Sequence, residues 1–174
     1  MRIRCDIHLN GGHRRLLLVS QQEETLEHLA LKLAGFILFW DSDPTVEVSL
    51  KNPALAGQEF RPDLVAFNDA GDIALWVECG NVTMHKLNKL SRRYSQARVV
   101  VLKEQSSEAQ RLRKEVAGQL THHHRVEILG WPPGEFGRWR DALREDTHVM
   151  GEATGHSLNL VLNEIPFAVD LQIF

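Results

Sequence analysis

Two apolar runs on either side of a four-residue turn constrain this chain more than any other feature. Phe60-Arg61-Pro62-Asp63-Leu64-Val65-Ala66-Phe67 leads into Asn68-Asp69-Ala70-Gly71, and Asp72-Ile73-Ala74-Leu75-Trp76-Val77-Glu78-Cys79-Gly80 leads out. Apolar runs flanking turn residues predict a β-hairpin. Asp63 then stands near the start of the first strand and Glu78 near the end of the second. Antiparallel pairing sets those two ends side by side, so a carboxylate from each strand meets at one sheet edge, as shared ligation of a hard cation requires. On spacing alone the plainer reading, two acids that end strands in water, stays ahead, because a pair of acids so separated is a weak pattern.

The elements around the hairpin follow from periodicity. Arg2 to Asn10 alternates, with Ile3, Cys5, Ile7 and Leu9 on one side and Arg4, Asp6 and His8 on the other, and Asn10-Gly11-Gly12 turns it into a returning strand from Arg15 to Ser20. Glu23 to Trp40 is the strongest helix: Leu26, Leu29, Ala30, Leu33, Ile37 and Trp40 form an apolar face, with Ser20 as N-cap and Glu23 as its capping-box partner. Glu27 borders the packed side of that helix. Pro44 ends it, and Thr45 to Leu50 reads as a short strand. After Gly80 a helix from Thr83 to Gln96 stacks Lys86, Lys89 and Arg93 on one side, a stripe that is as often a solvated face as a binding one. Arg98 to Lys103 has the composition of a strand buried on both faces. A helix from Ser106 to Leu120 carries Arg111, Arg113 and Lys114, and a strand from Arg125 to Leu129 follows. After the rigid Trp131-Pro132-Pro133-Gly134 loop and a short helix, Thr147 to Ala153, Ser157 to Leu162 and Phe167 to Ile173 read as three strands. They are expected to join the N-terminal pair in a second antiparallel sheet.

Composition narrows the function classes. The 174 residues suit one domain, and a net charge of −3 excludes a generally basic nucleic-acid coat, so phosphate binding would need a local patch. Two widely separated cysteines point to a reducing compartment, the charged opening Met1-Arg2-Ile3-Arg4 does not read as a signal peptide, and the longest apolar run, Phe36 to Trp40, is far short of a membrane span. The expectation is a cytoplasmic protein.

Pro62-Asp63 followed by Glu78-x-Gly80 resembles the PD-(D/E)XK nuclease superfamily and, within it, the YaeQ-like proteins; Glu24-Thr25-Leu26-Glu27 at the head of an apolar helix and the Lys-bearing helix after Gly80 extend the likeness. The resemblance implies an α+β fold. A restriction-endonuclease-like αβββαβ core with a mixed sheet is expected over residues 21–130, and an accessory antiparallel sheet from residues 1–20 and 147–174. It also implies a Mg2+- or Mn2+-dependent phosphodiesterase acting on nucleic acid. Asp63 and Glu78 are the expected metal ligands with the backbone carbonyl of Cys79 as a third oxygen, and Glu27 is a candidate acid from the first helix. The third signature position holds Gly80 where the superfamily carries lysine. In YaeQ-like proteins a lysine of the next helix stands in for it, which points to Lys89, or to Lys86. Arg92, Arg93 and Arg111 are candidates for contacting nucleic-acid phosphates. Gly80 and the acidic balance also motivate an alternative, a non-catalytic nucleic-acid- or protein-binding module on a decayed nuclease scaffold.

Three further groups read as structural. His122-His123-His124 cannot converge on one metal in an extended segment, because successive side chains alternate faces. Cys79 reads as a buried small hydrophobe, and Asp69-Ala70-Gly71-Asp72 lacks the remaining ligands of a calcium loop.

Overall fold

The computed structural model describes all residues, 1–174, as two mixed sheets and four helices. The first sheet contains β1 (Arg2–Leu9), β2 (Gly12–Val19), β8 (Asp146–Thr154), β9 (Ser157–Leu162) and β10 (Ile165–Asp170), in the order β10-β9-β8-β1-β2. The second contains β3 (Thr45–Val46), β4 (Leu64–Phe67), β5 (Ile73–Cys79), β6 (Arg98–Lys103), β7 (Val126–Gly130) and β11 (Gln172–Ile173), in the order β11-β7-β6-β5-β4-β3. The predicted hairpin is β4–β5, antiparallel with Leu64 opposite Val77, while β5, β6 and β7 run parallel.

Helix α1 (Leu26–Leu38) lies between the sheets and touches both, and every residue from Leu29 to Leu38 is buried. It is therefore buried all round, Lys32 included, rather than one-faced, as a helix packed on two sides must be. Its approach to the second sheet is close at Gly35, where a Cβ would meet Leu102 at 3.0 Å and Leu64 at 3.1 Å. Helices α2 (Met84–Arg93) and α3 (Ser106–Gln119) cover the opposite face of that sheet, over a second core built from Trp76, Leu87, Leu90, Val99, Val101 and Val116. Helix α4 (Glu135–Asp141) packs on α1. No helix is long and apolar enough to cross a membrane.

Several expectations are corrected. The first sheet is not wholly antiparallel: β1 and β8 pair in parallel, Cys5 opposite Thr147. Hairpins dictate direction only between sequence neighbours, and β2 and five of the six strands of the second sheet intervene between these two strands. The C-terminal stretch divides, Ile165–Asp170 closing the first sheet and Gln172–Ile173 the edge of the second. Helix α1 is capped by Thr25, whose hydroxyl accepts from the His28 amide at 3.3 Å, not by Ser20. Glu23 adopts φ +68°, which no helix tolerates, so the helix cannot begin earlier. Likewise Glu47, at φ +54°, stops β3 after Val46.

Candidate functional site

The register that pairs Leu64 with Val77 sets Asp63 opposite Glu78, at the edge where β5 ends and the chain turns toward α2. The two carboxylates are engaged from opposite faces of the sheet. Asp63 turns toward α1: its Oδ1 accepts from His28 Nε2 at 2.9 Å, and its Oδ2 accepts from the Cys79 amide at 2.8 Å. Glu78 lies on the α2 side, where its Oε1 accepts from Trp76 Nε1 and is met by Lys86 Nζ, each at 2.7 Å.

Lys86 reaches Glu78 because Thr83 caps α2, accepting from the Lys86 amide at 3.1 Å, and so fixes the first turn beside the strand end. The same ammonium donates to the Arg61 carbonyl at 3.2 Å. Lys89 lies three residues, about 4.5 Å of helical rise, farther along. Its ammonium is held by Glu59 at 2.5 Å and its side chain is 50% exposed, so the structure brings Lys86 rather than Lys89 to the acid pair. Gly80 explains why no side chain serves from the strand itself. It adopts φ +80° while its amide donates to the Leu102 carbonyl at 2.9 Å, a conformation that a lysine resists.

The sequence reading missed the third part of the site. Lys32, in the middle of the buried run of α1 and only 4% exposed, places Nζ 2.6 Å from Glu24, 3.2 Å from Glu47 and 3.9 Å from Asp63. His28 and Lys32 share one helix face a turn apart, and Glu24, just before the Thr25 cap, reaches both, with His28 Nε2 3.4 Å from Glu24. The signal was present in the sequence: Lys32 is the only charge between Leu29 and Trp40. A lysine there must find carboxylates or give up its charge.

The candidate from the first helix goes elsewhere. Glu27 pairs with Arg140 of α4 at 3.1 Å, and it is Glu24 that reaches the Asp63 cluster. Arg93 donates to the Ala56 and Gly57 carbonyls and braces the loop before β4, while Arg92 shares an open groove with Gln58, Glu59 and Lys89. Arg111 is exposed on α3, and its neighbour Arg113 turns inward to the Val126 and Phe174 carbonyls.

Protonation follows this wiring. Burial pushes Asp63 up, but the His28 hydrogen bond and charge, the Cys79 amide and Lys32 outweigh it and hold the carboxyl below its usual range. Burial dominates at Glu78, which rises despite Lys86, and the neighbouring charge of Asp63 adds to the rise. Lys32 and His28 are each pushed down by burial but end above their ordinary values, Lys32 through Glu24, Asp63 and Glu47 and His28 chiefly through Asp63. The Cys79 thiol is driven well above its ordinary value by burial and then by Asp63 and Glu78, so it is inert as a nucleophile.

As a metal site the donor set is specific in kind. Asp63, Glu78, Glu24 and Glu47 offer hard carboxylate oxygens, yet no three carboxylate, cysteine or histidine ligand atoms here lie within 4.8 Å of one another. That does not fit a closed four-ligand zinc centre. It does fit Mg2+, which takes one or two carboxylates and completes its shell with water.

No curated protein matches the sequence. Among solved structures, the YaeQ protein from Xanthomonas axonopodis pv. citri is similar over 99% of this chain and 96% of its own, with a TM-score of 0.74 at 16% identity. The YaeQ protein from Pseudomonas syringae is similar over 99% and 94%, with a TM-score of 0.73 at 14% identity. At such identities the likeness is one of fold. The YaeQ protein family model matches residues 13–160, most of the length, and the chain belongs to that family.

Proposed function

We propose that the Asp63–Glu78 edge is a nuclease-type centre for metal-dependent phosphodiester hydrolysis, on a restriction-endonuclease-like core. The observation that carries this reading is the arrangement at one strand end: two carboxylates on paired strands, with the Lys86 ammonium 2.7 Å from one of them. The element order α1, β3, β4, β5, α2, β6 supports it, being the αβββαβ order expected from the sequence.

In this reading Asp63 and Glu78 hold Mg2+ or Mn2+, with the Cys79 carbonyl as a further oxygen donor. The bound ion supplies neutralisation of phosphoryl charge and a lowered pKa for an attacking water. Lys86 stands where it can pass from Glu78 to a phosphate oxygen or align that water. Lys32 and His28 touch no substrate; they keep Asp63 ionised and aimed. Lys89 and Arg92, in the groove beside α2, are placed to contact neighbouring phosphates.

The test is Mn2+ titration and incubation with plasmid DNA, single-stranded DNA and RNA, comparing wild type with Asp63→Ala and Lys86→Met. Metal-dependent cleavage abolished in both variants is expected. Absence of both metal binding and cleavage in the wild type would end the catalytic reading.

One observation favours the non-catalytic module instead: Asp63, Glu78, Glu24 and Glu47 are all already paired with side-chain cations or imidazole. Under that reading nucleic-acid binding is salt-sensitive, depends on Arg92 and Arg111, and survives Glu78→Ala.

A further inference from the structure

A second cluster of titratable side chains lies on the solvent face of the first sheet, away from the carboxylate site. Its geometry comes from strand pairing. Asp6 and His8 are two apart on β1 and so share a face. His13 of β2 is directly opposite His8, and His148 of β8 is directly opposite Asp6. Cross-strand partners stand about 5 Å apart at Cβ, which brings side chains from three adjacent strands over one patch. The two-residue turn Asn10-Gly11, with positive φ at both positions, holds β1 and β2 in this register.

The polar atoms converge. His13 Nε2 is 2.5 Å from Asp6 Oδ1, His8 Nε2 is 3.5 Å from Asp6 Oδ2, and His148 Nδ1 is 3.8 Å from the same Oδ2. The His8 and His13 rings stack at 4.2 Å with 9° between their planes, so both present a nitrogen to one carboxylate. One ligand atom each from Asp6, His8 and His13 fall within 4.8 Å of one another. Ligand atoms around a tetrahedral zinc-class ion stand about 3.4 Å apart, so small side-chain rotations close the site. Arg15 is 3.9 Å from Asp6 and free to swing into solvent, while Arg2, Arg4 and Arg144 line the adjoining surface.

We propose that Asp6, His8 and His13, with His148 as a fourth ligand within reach, bind a divalent cation of the zinc class. Two or three imidazoles and one carboxylate select Zn2+, Co2+, Ni2+ or Cu2+ over Mg2+, which prefers oxygen alone. The ion would add a side-chain tie from the edge strand β2 to β1, and from β1 to its parallel neighbour β8, beside the Arg4–Asp146 pair that already links the latter two. The inference is independent of the nuclease reading.

The experiment is Zn2+ titration of the tag-free chain by calorimetry, with Co2+ absorption as a report of coordination. The variants are His8→Gln/His13→Gln, Asp6→Asn, Glu78→Gln, and His122→Gln/His123→Gln/His124→Gln. One ion per chain is expected, with affinity falling at least roughly tenfold in the first two variants and unchanged in the last two. The thermal midpoint should rise by roughly 5 to 11 °C at a hundredfold excess of Zn2+ over Kd, and excess Mg2+ should not reproduce the rise. Should the first variant misfold, the His8 and His13 imidazole resonances of the wild type must shift on adding Zn2+. Wild-type binding no tighter than millimolar, binding that survives His8→Gln/His13→Gln, or binding lost only with the His122–His124 substitutions overturns the proposal.

Discussion

Replacing Lys32 by methionine removes the one charge in the buried Leu29–Leu38 run of α1 while keeping a chain of similar length. In the wild type that ammonium faces Glu24 at 2.6 Å, Glu47 at 3.2 Å and Asp63 at 3.9 Å, with both Lys32 and Glu24 side chains under a tenth exposed. Removing one partner of a buried pair costs about 3–5 kcal/mol, because the other charge is left without compensation. His28 still faces Asp63 and Glu24, and Glu47 is open enough to rehydrate, so the lower end applies, about 3 kcal/mol. In a chain of this length that corresponds to a fall of roughly 6–12 °C in Tm.

The pH dependence carries the diagnostic. Asp63 is depressed in the folded state, so its contribution is present above the ordinary carboxylate pKa and is lost as pH falls through the folded value. Lys32 is one cause of that depression. The gap between wild type and Lys32→Met in urea melts is therefore widest near pH 7 and narrows as pH falls from the ordinary carboxylate value of about 4 toward the lower folded value of Asp63. Lys32 also lowers His28, so the His28 imidazole, followed by NMR, titrates at higher pH in the variant. A variant as stable as wild type at pH 7, or a gap unchanged between pH 7 and pH 3.5, would refute the network as drawn.

Other perturbations follow from the same wiring. Burial raises Glu78, so its folded state favours the protonated acid and stability is lost as pH rises through the folded value; Glu78→Gln should gain about 0.5–2 kcal/mol in urea melts at pH 7 while losing any metal-dependent cleavage. A loss of more than 2 kcal/mol would mean that the Lys86 pair outweighs desolvation. Gly80→Lys, which puts a lysine at the third position of the nuclease motif the sequence resembles, should cost about 1–2 kcal/mol through its positive φ and give no activity to a Lys86→Met background, as a plasmid-nicking assay would reveal. Thr83→Ala removes the cap that fixes the turn bearing Lys86 and should lower Tm by roughly 2–4 °C, for a loss of about 1 kcal/mol.

What was legible in the sequence was local. Alternation and the Asn68–Gly71 turn place Asp63 against Glu78, and the apolar spacing after Thr25 finds α1. What was hidden depends on neighbours far away in the chain. Only the presence of sheets on both sides of α1 turns Lys32 from an ordinary helix-former into a buried cation, and that sandwich depends on β8, more than a hundred residues later. Glu47 joins the site by way of a left-handed residue that no strand pattern anticipates. The choice between Lys86 and Lys89 turned on one helical turn, because both lie on the same stripe and only the Thr83 cap fixes which one meets the strand end. The parallel β1–β8 pairing had no local signal, and with it went the approach of His148 to Asp6.

Charge balance separates the two functional readings without any appeal to resemblance. With Glu78 ionised, as it must be to ligate a metal, Glu24, Glu47, Asp63 and Glu78 face Lys32, Lys86 and His28, which leaves the centre negative whether His28 is neutral or protonated. A phosphodiester brought to such a centre is repelled, and the repulsion is strong because the acids are buried and poorly screened. Nucleic acid can therefore engage this edge only together with a divalent cation. If the protein instead binds through Arg92 and Arg111, it does so at a surface that does not need one. The hydrolytic reading thus requires nucleic-acid affinity at low salt to rise on adding Mg2+ and to rise less in Asp63→Ala. The binding-module reading requires Mg2+ only to compete with the arginines for phosphates and so to weaken affinity in both. The sign of the Mg2+ effect, read in one filter-binding series, decides between them.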